Sequence, residues 1–83
     1  MRVCFITFRS ITYAQRAQEL LRRSGMGTSL GRTPRSLEQK GCGYSLRVPF
    51  TASQRALSLL RQNNVPFGRL YCQNENGELE AIT

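Results

Sequence analysis

The segment TYAQRAQELLRR at residues 12–23 recurs as TASQRALSLLRQ at residues 51–62, and this repetition decides the fold. Both copies begin with Thr-x-x-Gln, a capping-box signal for the start of a helix. Both then carry alanines and leucines at helical spacing. The pattern predicts helices over about residues 12–24 and 51–63, the first ended by Gly25 and the second stopped before Pro66.

Strand-like segments flank each copy. Residues 2–9 read RVCFITFR and are apolar on both faces, which is typical of a central strand. Residues 44–48 alternate apolar and polar side chains, which is typical of a half-buried strand. A weaker strand is predicted over residues 28–33 and a last strand over residues 67–73. Two β-α-β halves predict an α+β ferredoxin-like β-α-β-β-α-β sandwich. We expect a four-stranded antiparallel sheet with both helices on one face.

The 83 residues predict a single domain, with its core at about residues 2–73 and an acidic tail at residues 74–83. We expect that tail to be frayed, with a short hairpin as the alternative. No apolar run approaches the ~20 residues of a membrane span, and no cleavable signal is recognised at the N-terminus.

Three cysteines, odd in number and far apart, favour a reducing cytoplasm over a disulfide framework. We therefore expect a cytoplasmic protein in which Cys4 and Cys72 pack inside strands as small hydrophobic residues. Cys72 is expected to pack rather than to act as a resolving partner for another thiol.

The composition excludes several kinds of chemistry. Histidine is absent and the five acidic residues are all glutamates, so histidine-based triads are excluded and most zinc sites and paired-carboxylate mechanisms are disfavoured. We expect no metal and no organic cofactor, and any chemistry must run through a cysteine. The net charge of +7 favours an anionic partner.

Cys42 is the candidate nucleophile because it stands between two glycines, Gly41 and Gly43. Glycines leave a neighbouring thiol unshielded and permit backbone conformations with positive φ. The alternative reading is a tight turn whose cysteine is a small buried hydrophobe.

The surroundings predicted for this thiol are positively charged. In the predicted topology its loop lies at the same end of the sheet as Arg9, Ser10 and the start of the first helix. A helix N-terminus carries partial positive charge and unpaired N–H groups. Arg35 and Lys40 add cations within the loop, and Pro34 shapes it. We expect these groups to lower the pKa of the thiol below the free value of about 8.5.

Three motifs carry a family resemblance: Phe8-x-Ser10, then Pro34-Arg35-x-Leu37, then Cys42-Gly43-x-Ser45-Leu46-Arg47. Together they resemble the selenium/sulfur carrier-like proteins, which are small bacterial domains, and the likeness extends from the first strand to Tyr71. The resemblance implies a low-molecular-weight carrier that holds sulfur or selenium on the cysteine matching Cys42. It also implies donor and acceptor proteins as partners.

Two departures from the family pattern fall on the site. The loop before Cys42 is slightly longer than in the family, and Glu38-Gln39-Lys40-Gly41 stands where small hydroxyl residues are expected. Loop geometry and substrate therefore transfer less directly from the family than the cysteine does.

The leading hypothesis is a sulfur or selenium relay by Cys42, in a carrier rather than a turnover enzyme. One alternative is a nucleic-acid-binding domain, favoured by the charge and by the sheet topology. Against it, the third strand offers Tyr44 and Arg47 but lacks the paired aromatic residues that stack bases on such sheets. Another alternative is an interaction module that dimerises through the open sheet face and uses its cysteine structurally.

Overall fold

The computed structural model describes residues 2–34, 37 and 43–82. A 3-10 turn at Phe50–Ala52 directly precedes the second helix. In chain order the elements are β1 (Val3–Phe8), α1 (Ile11–Arg23), β2 (Ser29–Arg32), β3 (Tyr44–Pro49), α2 (Ser53–Gln62), β4 (Leu70–Gln73) and β5 (Leu79–Ala81).

The strands form one antiparallel sheet in the order β2-β3-β1-β4-β5. The predicted strand number is wrong, because β5 pairs with β4 and makes a fifth strand. Its hairpin is closed by Asn74, whose Oδ1 accepts the amides of Asn76 and Glu78 at 2.8 and 3.0 Å, and by Gly77 with a φ of 81°. The acidic tail thus forms the hairpin that was the alternative to a frayed end.

One face of the sheet is covered by both helices. The even-numbered residues of β1, Cys4, Ile6 and Phe8, are buried there. They join the buried residues of α1 and α2 in one core, which confirms the mixed α/β class. The odd-numbered residues of β1 point to the opposite face, because side chains alternate along a strand, and these are half-buried. Neither helix within the described ranges has the length and apolar character needed to cross a bilayer.

Cys4 and Cys72 lie directly opposite each other on β1 and β4 and form a disulfide, with Cα atoms 4.0 Å apart. Both residues pack in the core as expected, at 0% and 3% exposure. The expectation that they are unpaired is wrong. Their separation of 68 residues in sequence conceals the pairing, which arises only when the sheet register brings β1 and β4 together.

The helices do not begin where the capping-box pattern predicts. The cap of α1 is Ser10, whose Oγ accepts the N–H of Tyr13 at 3.3 Å, rather than Thr12. The cap of α2 is Ala52, which makes no side-chain capping bond, rather than Thr51. The periodicity therefore places both helices correctly, whereas the polar signal at their starts misplaces their first residues.

Candidate functional site

Gly43, Arg9 and Ser10 lie at the same end of the sheet. Tyr44 pairs with Phe8, so the residue before Tyr44 and the residue after Phe8 are brought to the same edge. The carbonyl of Gly43 also accepts the N–H of Thr33 at 3.0 Å, which continues the pairing of β2 with β3. The end of β1, the start of α1 and the start of β3 therefore meet here.

Gly43 is packed tightly between two strands. A Cβ at this position would lie 3.1 Å from Oγ1 of Thr33 and 4.0 Å from the carbonyl oxygen of Phe8. Close approach of Thr33 is thus the physical reason for a residue without a side chain here.

The start of α1 supplies backbone donors to this end of the sheet. Ser10 is engaged as the helix cap, and its carbonyl accepts the N–H of Ala14 at 3.1 Å. The amides of Ile11 and Thr12 belong to the first turn, where no intrahelical acceptor exists. A hydroxyl cap and free amides at a helix N-terminus favour a nearby negative charge.

Arg9 is exposed and makes no hydrogen bond or ion pair with the described part of the chain. It lines a cavity of about 480 Å³ together with Arg69, Tyr13 and Phe67. Two guanidinium groups and two aromatic rings around one cavity suit a ligand that combines an anionic group with a planar or apolar group. Arg69 could not be predicted as a neighbour of Arg9, because its position depends on the pairing of β1 with β4.

Pro34 begins a turn in which its carbonyl accepts the N–H of Leu37 at 2.9 Å. Both residues are half-buried. Four predicted site residues, Arg35, Lys40, Gly41 and Cys42, lie outside the described residues. The described part of the site therefore consists of its frame: the turn at Pro34, the strand start at Gly43 and the helix start after Arg9.

Thr33 is a polar residue of this site that the sequence reasoning missed. It is only 8% exposed, and its Oγ1 has no hydrogen-bond partner within the described residues. A buried hydroxyl without a partner is unfavourable unless another group completes it. In the sequence, its position directly before Pro34 was the feature that could have indicated a role at the site.

The described residues contain no group of three or more histidine, cysteine or acidic side chains placed to hold a metal ion. The disulfide also removes Cys4 and Cys72 as free thiols in this structure. Chemistry at this end of the sheet therefore depends on backbone amides, guanidinium groups, hydroxyls and the loop that precedes Gly43.

Comparison with known proteins adds one finding. The family model described as "Putative Se/S carrier protein-like" matches residues 3–72, from the start of β1 to β4. Searches of curated proteins and of solved structures found no match. The matched range contains the Pro34-Arg35 and Cys42-Gly43 motifs and every described residue at this end of the sheet. The chain belongs to the Se/S carrier protein-like family.

Proposed function

We propose that the protein is a sulfur or selenium carrier in which Cys42 holds the transferred atom. The observation that carries the proposal is the position of Gly43, which is bonded to Cys42 in the chain. Gly43 directly precedes Tyr44, which pairs with Phe8 at the end of β1, and Arg9 and the helix cap Ser10 directly follow Phe8. The residue that follows Cys42 in the chain thus shares one end of the sheet with the first amides of α1 and with the unpaired guanidinium of Arg9.

The transfer step needs only the thiolate of Cys42 and a donor protein that carries a persulfide. The thiolate attacks the outer sulfur of the donor persulfide, and a new S–S bond forms on Cys42. The S–S bond of the donor breaks at the same time, and the donor cysteine leaves as a thiolate. No oxidant or reductant is consumed, and the selenium reaction follows the same course with a selenopersulfide.

The described residues have distinct roles in this proposal. The guanidinium of Arg9 and the first amides of α1 stabilise the thiolate and the incoming persulfide. Ser10 contributes by holding the helix start in place through its bond to the Tyr13 amide. Pro34 fixes the turn that leads into the loop. Arg35, Lys40 and Gly41 remain predicted contributors of charge and access.

We assign Thr33 as a positioning residue for the same loop. Its hydroxyl is buried beside Gly43 and has no acceptor or donor among the described residues. We infer that this hydroxyl acts as a hydrogen-bond donor toward the loop, because a buried hydroxyl without a partner is unfavourable. The Thr33→Val variant keeps the shape of the side chain and removes the hydroxyl. We expect it to lower the rate of persulfide loading by a larger factor than it lowers the equilibrium constant for folding.

The remaining features of the proposal follow from the carrier chemistry. The partners are proteins that donate and accept sulfur or selenium, and the protein is a carrier rather than a turnover enzyme. We also propose a cytoplasmic location, where the Cys4–Cys72 disulfide would meet reducing conditions. We also assign the ferredoxin-like class with an added edge strand. The support for this class is the order β2-β3-β1-β4 in an antiparallel sheet.

The test is to incubate the protein with a cysteine desulfurase and cysteine, and then to measure the intact mass and map the modified peptide. We expect one added sulfur atom on Cys42 and none in Cys42→Ser. Arg9→Gln should load more slowly, whereas Arg23→Gln, a charge-matched change on the exposed end of α1, should load normally. Loading of Cys4 or Cys72 alone, or of no cysteine, contradicts the relay.

Alkylation of Cys42 as a function of pH gives a second test that needs no donor enzyme. If the helix start and Arg9 stabilise the thiolate, the midpoint for Cys42 lies below that of a free thiol at about 8.5. A midpoint above that value removes the electrostatic basis of the proposal.

A further inference from the structure

The sheet face opposite the helices presents two aromatic rings and a cation in one row. The register pairs Phe5 of β1 with Arg47 of β3 on one side and with Tyr71 of β4 on the other. Their strand neighbours Ile6, Leu46 and Leu70 are buried under the helices, so these three side chains point to the opposite face. Phe5 and Tyr71 are half-buried and Arg47 is exposed.

This row is positively charged and has no counter-ion among the described residues. The other side chains that the register assigns to this face are hydroxyl, amide, proline or aliphatic, and none is acidic. Arg47 makes no hydrogen bond or ion pair within the described ranges. Glu80 pairs with Cys72 and therefore lies on the opposite side of β5, where Asn74 donates to it at 2.7 Å.

The charge indicates what kind of partner fits this face. A second copy of the chain, docked about a two-fold axis, would place two uncompensated positive faces against each other. The net charge of +7 adds a general attraction of the whole chain for polyanions. The face thus complements an anionic partner and disfavours the symmetric dimer.

The two aromatic rings indicate which anionic partner fits best. Residues opposite each other on neighbouring strands are about 5 Å apart, so Phe5 and Tyr71 present adjacent rings on a flat surface. Unpaired nucleic-acid bases stack on such rings, and a nearby arginine contacts the phosphates or stacks in turn. The sequence-based objection considered aromatic residues on the third strand alone, whereas the structure supplies the pair from β1 and β4.

We infer that this face binds single-stranded nucleic acid, with bases stacked on Phe5 and Tyr71 and Arg47 at the backbone phosphates. The activity is separate from sulfur transfer and does not require Cys42. Duplexes are poor ligands because their bases are already paired and stacked within the double helix.

The test measures fluorescence anisotropy of a short labelled polyuridine RNA at several salt concentrations, with polythymidine DNA and a duplex as comparisons. We expect Tyr71→Leu to weaken binding about tenfold without changing the salt dependence, because stacking carries no charge. Arg47→Gln should lower the slope of log K against log salt by about 0.7, the value for one phosphate contact on a single strand. Arg16→Gln, a charge-matched change on exposed α1, should leave the slope nearly unchanged.

Several outcomes separate this inference from its competitors. Equal effects of Arg47→Gln and Arg16→Gln, with none from Tyr71→Leu, mean that binding reflects net charge alone and overturn it. A concentration-dependent dimer that Tyr71→Leu abolishes assigns the face to a second copy and also overturns it. Cys42→Ser should bind RNA normally, and Tyr71→Leu should accept sulfur normally. Failure of RNA binding can therefore be distinguished from failure of sulfur transfer.

Folding of the variants is checked by circular dichroism and thermal melting. If Tyr71→Leu does not fold, Phe5→Leu replaces it. Ultraviolet cross-linking of the unmodified protein to the same RNA then gives a measurement that needs no variant. Cross-links in the peptides that contain Phe5 or Tyr71 support the inference, and cross-links confined to the helices contradict it.

Discussion

The two halves of the molecule, β1-α1-β2 and β3-α2-β4, share seven of twelve residues in their repeated helical segments but begin their helices differently. α1 begins at Ile11 directly behind Ser10. At the equivalent positions of the second half, Phe50–Ala52 form a 3-10 turn, and α2 begins only at Ser53. Pro49 occupies the place that corresponds to Ser10.

The difference follows from the residue that precedes each repeat. The Ser10 hydroxyl accepts an amide of the first turn, which stabilises α-helical geometry at that point. Pro49 has no side-chain acceptor, and the first turn of the second half is the tighter 3-10 form. Only the first half therefore presents a side-chain-capped helix start, and this start lies beside Gly43. The residue that distinguishes the two helix starts thus stands outside the repeat.

The disulfide that joins the two halves should have the largest effect on stability. Cys4 belongs to β1 and Cys72 to β4, so the bond closes a loop that spans 68 residues of sequence. Constraining the unfolded chain over a loop of this size contributes about 4 kcal/mol in the chain-entropy model. We expect the free energy of unfolding, measured with urea, to fall by that amount when the protein is reduced.

The measurement is best made in a Cys42→Ser background, so that no third thiol exchanges with the pair. The Cys4→Ala/Cys72→Ala double variant should match the reduced protein and should not respond to reductant. An unfolding midpoint that is the same in oxidised and reduced protein would show that the bond does not stabilise the joined halves.

The buried positions of the two helices differ at one place, and this gives the second prediction. Ala14, Ala17 and Leu21 of α1 are buried, and so are their equivalents in α2, but α2 also buries Leu57 where α1 has half-buried Gln18. Leu57→Ala leaves a cavity and should lower the unfolding free energy by about 3 kcal/mol. Gln18→Ala should change it by less than about 0.5 kcal/mol. Equal losses at both positions would mean that the two helices pack equivalently.

Much of this fold was predictable from sequence because its signals are repeated and periodic. The apolar spacing of the two helical segments and the two-sided apolar character of residues 3–8 gave the helices and the central strand. β5 was underestimated because Leu79 is the main apolar residue of that short strand. The disulfide was missed because residues so far apart carry no local sign that a register will oppose them.

The site shows the same division between local and long-range information. The topology predicted that Cys42 lies beside Arg9 and Ser10. The register places its neighbour Gly43 at that end of the sheet, and Cys42 itself lies outside the described residues. Burial of the Thr33 hydroxyl was not predictable, because it depends on how closely Gly43 approaches. The aromatic pair Phe5 and Tyr71 was missed for a related reason, since it exists only across two strands from different halves.

The third prediction concerns the helix starts that distinguish the halves. Ser10→Ala removes the acceptor of the Tyr13 amide and should cost about 1 kcal/mol of unfolding free energy. Thr12→Ala, at the residue that the sequence pattern marks as the cap, should change it by less than about 0.5 kcal/mol. Urea unfolding of both variants, with m-values compared to confirm two-state behaviour, makes the test. A larger loss at Thr12 than at Ser10 would restore the sequence-based assignment.

The smallest expected effect comes from an ion pair that α1 has and that α2 lacks at the equivalent Ser58. Arg22 donates hydrogen bonds to the Glu19 carboxylate, and this lowers the pKa of Glu19 from its ordinary value of 4.5. A lowered pKa means that the stabilisation is present above that value and is lost as the pH falls through the folded-state pKa. Glu19→Gln should therefore be slightly less stable than the unmodified protein at neutral pH, by less than the Ser10 effect, since both side chains are exposed. This difference in unfolding free energy should vanish in acid and shrink in high salt. Urea unfolding of both proteins at neutral and at acidic pH, each at low and at high salt, measures it. If instead it persists at low pH, Glu19 supports the first half through helix packing or propensity, and charge does not distinguish the two helices.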